Sequence, residues 1–229
     1  MVFNVELREG LEQSFETCLD ADRFDPVCDH LLIEETATGE IVGTYRLQTG
    51  LKAAEHLGYY SAQEFDFTPY EHLRGQMIEL GRACIHSGHR SFAVLNLLWK
   101  GIARYAREHG ARYLTGCSSL TSRDPAEGAA AYLALQPHLV ASGLRTRPVG
   151  HFPCPLDTVA PVAPKIPKLL AAYLALGARI CGPPALDREF KTIDFLTLLD
   201  LQTLPFRTLR RLTGMPDGDT SGNAADISA

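Results

Sequence analysis

The chain has 229 residues, enough to bury a substantial core and more consistent with one domain plus an appendage than with two equal domains. Hydrophobic residues make up 45% and charged residues 21%, which excludes wholesale disorder, and no long apolar run offers a membrane span. A net charge of -5 argues against nucleic acid as a partner, so any anionic partner must meet a local basic patch.

Residues 1–20 read as helical, with Leu11, Phe15 and Cys18 at helical spacing and no capping signal before Val2. Glu6, Arg8, Glu9 and Glu12 interrupt any apolar leader, so a cytoplasmic location is expected. The loop that follows is rich in carboxylates. Asp22, Asp25 and Asp29 are either solvated turn residues or an acidic rim for a cation or ammonium group. Next, residues 30–36 and 41–48, separated by Ala-Thr-Gly-Glu, predict a β-hairpin. Arg46, near the end of its second strand, is an exposed strand arginine or an inward guanidinium meeting a carboxylate or an anionic ligand. Between Gly50 and Gly75 the aromatic residues Tyr59, Tyr60, Phe65, Phe67 and Tyr70 belong either to a loop packed on the core or to a pocket wall.

Met77-Ile-Glu-Leu-Gly-Arg-Ala-Cys-Ile-His86 reads as a strand carrying charge inward. Strict alternation puts Glu79 and Arg82 on opposite faces, whereas a β-bulge at Gly81 brings them to the same side. Buried charges in an apolar strand imply a structural ion pair or an active cleft, and both readings stand. Phe92 to His109 is the clearest helix, with Ser91 as N-cap, Gly110 as terminator and an apolar stripe of Leu95, Leu98, Trp99, Ile102 and Ala106. Lys100, Arg104 and Arg107 share its polar face, which is solvated or docks an acidic protein. The turn before the helix, with Gly88, is a weak anion site.

Residues 111–119 predict a strand parallel to the one before the helix, closing a β-α-β unit. A helix over 124–135, a proline-rich connector over 145–168, a short helix over 169–178 and a buried strand over 193–200 follow. Residues 204–212 are basic and amphipathic, either a terminal helix on the core or a membrane contact, and 214–229 read as a disordered tail. The six cysteines lack any Cys-x-x-Cys pair and read as free thiols, and His86 with His89 lacks the partners of a metal site, so no metal is expected.

Cys28-Asp-His-Leu-Leu32, Gly43-Thr-Tyr-Arg-Leu47, Glu79-Leu-Gly-Arg-Ala-Cys84, Trp99-Lys-Gly-Ile-Ala-Arg104 and Gly116-Cys-Ser-Ser119 together resemble the bacterial ornithine-acyl carrier protein N-acyltransferases of the GNAT superfamily, often labelled hemolysin-like. The resemblance covers roughly 22–201 and extends, more distantly, to the acyl-homoserine lactone synthases. It implies an α/β fold with a GNAT-like mixed central sheet flanked by helices, lacking the usual first strand ahead of Met1. Residues 1–160 would form the acyltransferase core and 161–213 a segment completing the sheet. The implied reaction moves a 3-hydroxy fatty acyl group from acyl carrier protein to the α-amine of ornithine, with acyl-phosphopantetheine as donor and no bound cofactor. Under that reading Glu79 is the base or orienter and Arg82 its partner, with backbone N–H groups near Ala83 and Cys84 facing the oxyanion. Arg46 would take the acceptor carboxylate, and Asp25 or Asp29 its side-chain ammonium. Gly88, Arg90, Lys100, Arg104 and Arg107 would meet the carrier protein. A covalent route through Cys84 or Cys117 is the minor option, and a lactone synthase or a non-catalytic acyl-binding module are the competing functions.

Overall fold

A computed structural model of the chain describes residues 20–205. The predicted helix over 1–20 and the segments over 204–212 and 214–229 therefore fall, but for their edges, outside the described residues. The hairpin forms from β1 (Asp29–Glu34) and β2 (Ile41–Thr49). Its turn closes through the N–H of Gly39, at φ 73°, donating to the Glu35 carbonyl at 2.8 Å. A short helix α1 (Gly50–Glu55), capped by the Thr49 hydroxyl, and two 3-10 segments then lead to β3 (Met77–Ile85).

The β-α-β unit consists of β3, α2 (Phe92–Glu108) and β4 (Tyr113–Leu120), with β3 and β4 parallel. Ser91 caps α2 by accepting from the Val94 N–H at 3.3 Å, and Gly110, at φ 62°, follows its end. Helix α3 (Pro125–Leu135) is capped by Asp124, and α4 spans Lys168–Ala175. Three strands follow among the described residues: β5 (Arg179–Ile180), β6 (Ala185–Asp187) and β7 (Thr192–Asp200). The sheet runs β1-β2-β3-β4-β7-β5, with β6 also on β7. Along its whole length β4 pairs antiparallel with β7, so β7 lies beside the middle of the sheet.

Period-2 alternation divides the sheet into two faces. On one, Tyr45, Leu47, Ile78, Leu114 and Leu199 meet Leu98, Trp99 and Ile102 of α2. Burying such a side chain contributes about 1.5–3 kcal/mol. On the other, Met77, Tyr113, Leu196 and Leu198 pack under Tyr59, Phe65, Phe67 and Tyr70, so most of the aromatic segment is core. The same face carries Arg46, Gln48, Glu79 and Thr115, which alternate with those helix-facing residues.

Candidate active site

The site begins where two parallel strands part. Backbone pairing between β3 and β4 covers only Met77–Glu79 against Tyr113–Thr115. Immediately beyond, the Leu80 carbonyl lies against Gly116 so closely that a Cβ there would sit 2.2 Å from its oxygen. A cavity of about 330 Å³ fills the gap, lined by Leu80 to Ala83 from β3 and Gly116 to Ser119 from β4. Because the gap opens through the sheet, the cavity has two chemical ends. Tyr45, Trp99, Leu114, Tyr173 and Leu199 line it on the helix side, and Arg46, Gln48, Glu79, Arg82, Glu64 and Asp194 line the polar side.

Glu79 sits at the last paired residue of β3 and is 5% exposed. Each of its oxygens accepts one backbone N–H at 2.7 Å, Oε2 from Tyr60 and Oε1 from Ser61, at the start of a 3-10 turn. Burial nevertheless outweighs these bonds and holds the carboxyl above the ordinary carboxylate value. Two N–H bonds fix the group and leave further lone pairs on both oxygens, so it can accept a proton directly or through water.

The expected bulge exists, one residue further on than Gly81. Gly81 pairs with Arg46 and Cys84 with Thr44, so Arg82 and Ala83 together oppose Tyr45. Arg82 adopts φ 50°, the left-handed region that costs a non-glycine residue strain, and its side chain turns to the cavity face. The ion pairing differs from expectation. Glu79 makes no ion pair among the described residues; Arg82 instead binds Asp22 at 2.9 Å and Asp20 at 3.4 Å. Arg46 Nη1 donates to Asp22 and Asp25, both at 2.7 Å, so Asp22 joins the two arginines. Although burial acts in the opposite direction, those bonds hold Asp22 below the usual carboxylate range. Both guanidiniums lie over the Tyr60 ring, at 5.0 and 5.5 Å from its centroid.

The residues matched by the family described as "Acetyltransferase (GNAT) domain" are 1–100. The chain is 34% identical over 217 residues to the L-ornithine N(alpha)-acyltransferase of Brucella abortus (strain 2308), covering 88% of this chain and 75% of that protein. It is 36% identical over 203 residues to the L-ornithine N(alpha)-acyltransferase of Rhodobacter capsulatus, covering 82% and 77%. The chain belongs to this acyltransferase family. It is a GNAT-type acyltransferase, with the mixed sheet and flanking helices of that fold. A solved CoA-dependent acyl-homoserine lactone synthase with SAM and isopentyl-CoA is similar at a TM-score of 0.49 and 15% identity, covering 94% of this chain and 79% of that one.

Of the residues singled out in this family member's sequence, Glu79, Arg82 and Arg46 meet at the cavity. Eight others do not line it. Asp25 is taken by Arg46, and Asp29, at the start of β1, by Lys52 of α1 at 2.7 Å and by the Tyr105 hydroxyl of α2. Cys84 lies past the bulge opposite Thr44, and Gly88 lies in the turn beyond β3, its N–H on His86 Nδ1. Arg90, Lys100, Arg104 and Arg107 are exposed, Arg104 pairing with Glu108 at 2.7 Å. The covalent route loses support at the cavity: burial pushes the Cys117 thiol well above its ordinary value and the Cys28 thiol up to about 11.

Sequence reasoning missed one group entirely. Glu64, Asp187 and Asp194 are buried, line the cavity and bring carboxylate oxygens within 4.8 Å of one another. Asp194 could have been found, since it is a lone acid in the apolar strand Ile193-Asp-Phe-Leu196, the same signal that marked Glu79.

Proposed function

We propose that the chain transfers a 3-hydroxy fatty acyl group from the phosphopantetheine thioester of acyl carrier protein to the α-amine of ornithine, the first step of ornithine lipid synthesis. The observation that carries this reading is Glu79: a fixed, buried carboxylate of raised basicity at the parting of β3 and β4, on a cavity with one polar and one apolar end. The α-ammonium of a free amino acid is a far weaker acid than an ordinary carboxylic acid, so a carboxyl standing above the ordinary range is better matched to accept its proton than an exposed one. The freed amine attacks the thioester carbon, and the oxyanion meets backbone N–H groups of β3 near Ala83, where the ladder to β4 has ended. The C–S bond then breaks and the carrier thiolate leaves to take up a proton. Tyr45, Trp99 and Tyr173 offer the acyl chain an apolar wall, while the acceptor carboxylate would reach Arg46 and Arg82 in competition with Asp20, Asp22 and Asp25, which already bind their guanidinium groups.

The relatives' named activity, on L-ornithine, supports the acceptor, and the exposed Lys100, Arg104 and Arg107 on α2 support an acidic carrier protein as partner. A carrier-protein donor fits an enzyme of the cytoplasm, and a long-chain product fits contact with the inner face of the cell membrane. No described helix is long and apolar enough to cross a membrane. The deciding experiment is incubation of the purified chain with 3-hydroxyacyl carrier protein and ornithine, followed by mass spectrometry. The expected product is hydroxyacyl-ornithine. A lactone formed only with S-adenosylmethionine, or no product from any acyl donor, would overturn the assignment.

A further inference from the structure

Three carboxylates share the polar end of the cavity with Glu79. Glu64 follows the turn that holds Glu79, Asp187 ends β6, and Asp194 lies in β7. Asp187 accepts the N–H groups of Glu189 and Phe190 at 2.8 and 2.9 Å, and Asp194 accepts the Thr192 hydroxyl at 3.0 Å. Glu64 and Asp187 form no ion pair among the described residues. Glu64, 4% exposed, leaves Oε2 without a hydrogen-bond partner there. Gln48 gives a second, independent sign of a ligand. It is 2% exposed, faces Glu79 across the β2–β3 ladder, lines the cavity, and neither amide atom has a partner among the described residues. Burying such groups costs free energy unless something polar meets them.

We propose that Glu64, Asp187 and Asp194 form the subsite for the side-chain ammonium of the acceptor, so that the enzyme selects a basic amino acid by its second amine while Glu79 handles the first. This rests on the acyltransferase reading above. An alkylammonium has three N–H donors, one for each carboxylate, and Gln48 can both donate to and accept from the zwitterionic end. Burial, then Asp194 and Asp187, hold the Glu64 carboxyl well above its ordinary value. A hydrogen bond shared with Asp194 and the charge of Glu79 act in the same direction, with Cys117 and Tyr60 facing the same cluster. The cluster therefore keeps a proton near neutrality that an arriving ammonium displaces.

The test uses the purified full chain with ornithine and with norvaline, which keeps the α-amine and carbon chain but lacks the second amine. Wild type should prefer ornithine by about 100-fold or more in kcat/KM. Glu64→Gln and Asp194→Asn should each lower that preference by at least about tenfold, the worth of one charge-assisted hydrogen bond, through KM for ornithine. Glu64→Asp should restore part of it, and circular dichroism should show all three variants folded. Calorimetry in buffers of different ionisation enthalpy should detect proton release with ornithine and none with norvaline. Equal use of both acceptors, full preference in both variants, or ornithine binding without proton release would overturn the subsite. A preference abolished by EDTA and restored by a divalent ion would replace it with a metal site. If wild type acylates neither acceptor, the function fails, and the calorimetry still decides the subsite.

Discussion

Replacing Glu79 with Gln separates a base from a structural anchor. The substitution keeps the size of the side chain but exchanges one carboxylate oxygen for an NH2 group. One of the Tyr60 and Ser61 N–H groups, each now at 2.7 Å from an oxygen, would then face a donor. A buried N–H left in that state costs about 1–3 kcal/mol, partly offset because the charge no longer has to be buried. The variant should thus remain folded with a modestly lower melting temperature. Catalysis should suffer far more, because general base catalysis contributes about 10²–10⁴-fold. The assay is kcat and kcat/KM for acyl transfer across pH 5.5–9.5, beside thermal unfolding of the same samples. Wild type should show a rising limb governed by a group above the ordinary carboxylate value, and E79Q should lose at least about 100-fold in kcat together with that limb. A folded E79Q that keeps wild-type kcat within about threefold and the same pH profile would refute the base assignment and leave Glu79 an anchor for the 60–63 turn.

Gly116→Ala puts a methyl group on the Leu80 carbonyl, so β3 and β4 must shift at the parting point; unfolding should show a loss of about 1–3 kcal/mol, with kcat reduced. Asp22→Asn weakens the carboxylate shared by Arg46 and Arg82, and with Asp20 and Asp25 still present the expected loss is about 1–3 kcal/mol by urea unfolding, with a rise in acceptor KM. Between the ordinary Glu value of 4.5 and the raised values of Glu64 and Glu79, the folded state binds more protons than the unfolded one, so their contribution is present at low pH and lost as pH rises. The melting temperature of the ligand-free protein should fall over that window, and Glu64→Gln should flatten the decline. Below pH 3.8 the sign reverses, as Asp22, Asp29 and Asp200, all held below their ordinary value, lose their stabilising charge. Reversing Lys100, Arg104 and Arg107 to Glu should raise KM for acyl carrier protein and lower the melting temperature slightly through the lost Arg104–Glu108 pair, and acid-to-base changes on the carrier should restore KM without restoring the melting temperature.

The hairpin, the capped helix α2 and the parallel pair around it were legible from periodicity, turn residues and caps, because those signals act over a few residues. A charged strand also announced Glu79 and Arg82, and Gly81 announced a bulge, since alternation alone could not put both on one face. What met those side chains was decided by distance in sequence. Arg46 finds Asp22 and Asp25 from more than twenty positions away, and Arg82 finds Asp22 from sixty. Glu79 is held by backbone N–H groups of Tyr60 and Ser61, which carry no side-chain signature. Glu64 meets Asp187 and Asp194 only because β7 lies beside β4 and carries β6 with it. Composition and local pattern determined which elements form and which strand carries charge. Only the sheet order, a product of long-range pairing and of the gap between β3 and β4, determined which charges share a cavity and which merely neutralise one another.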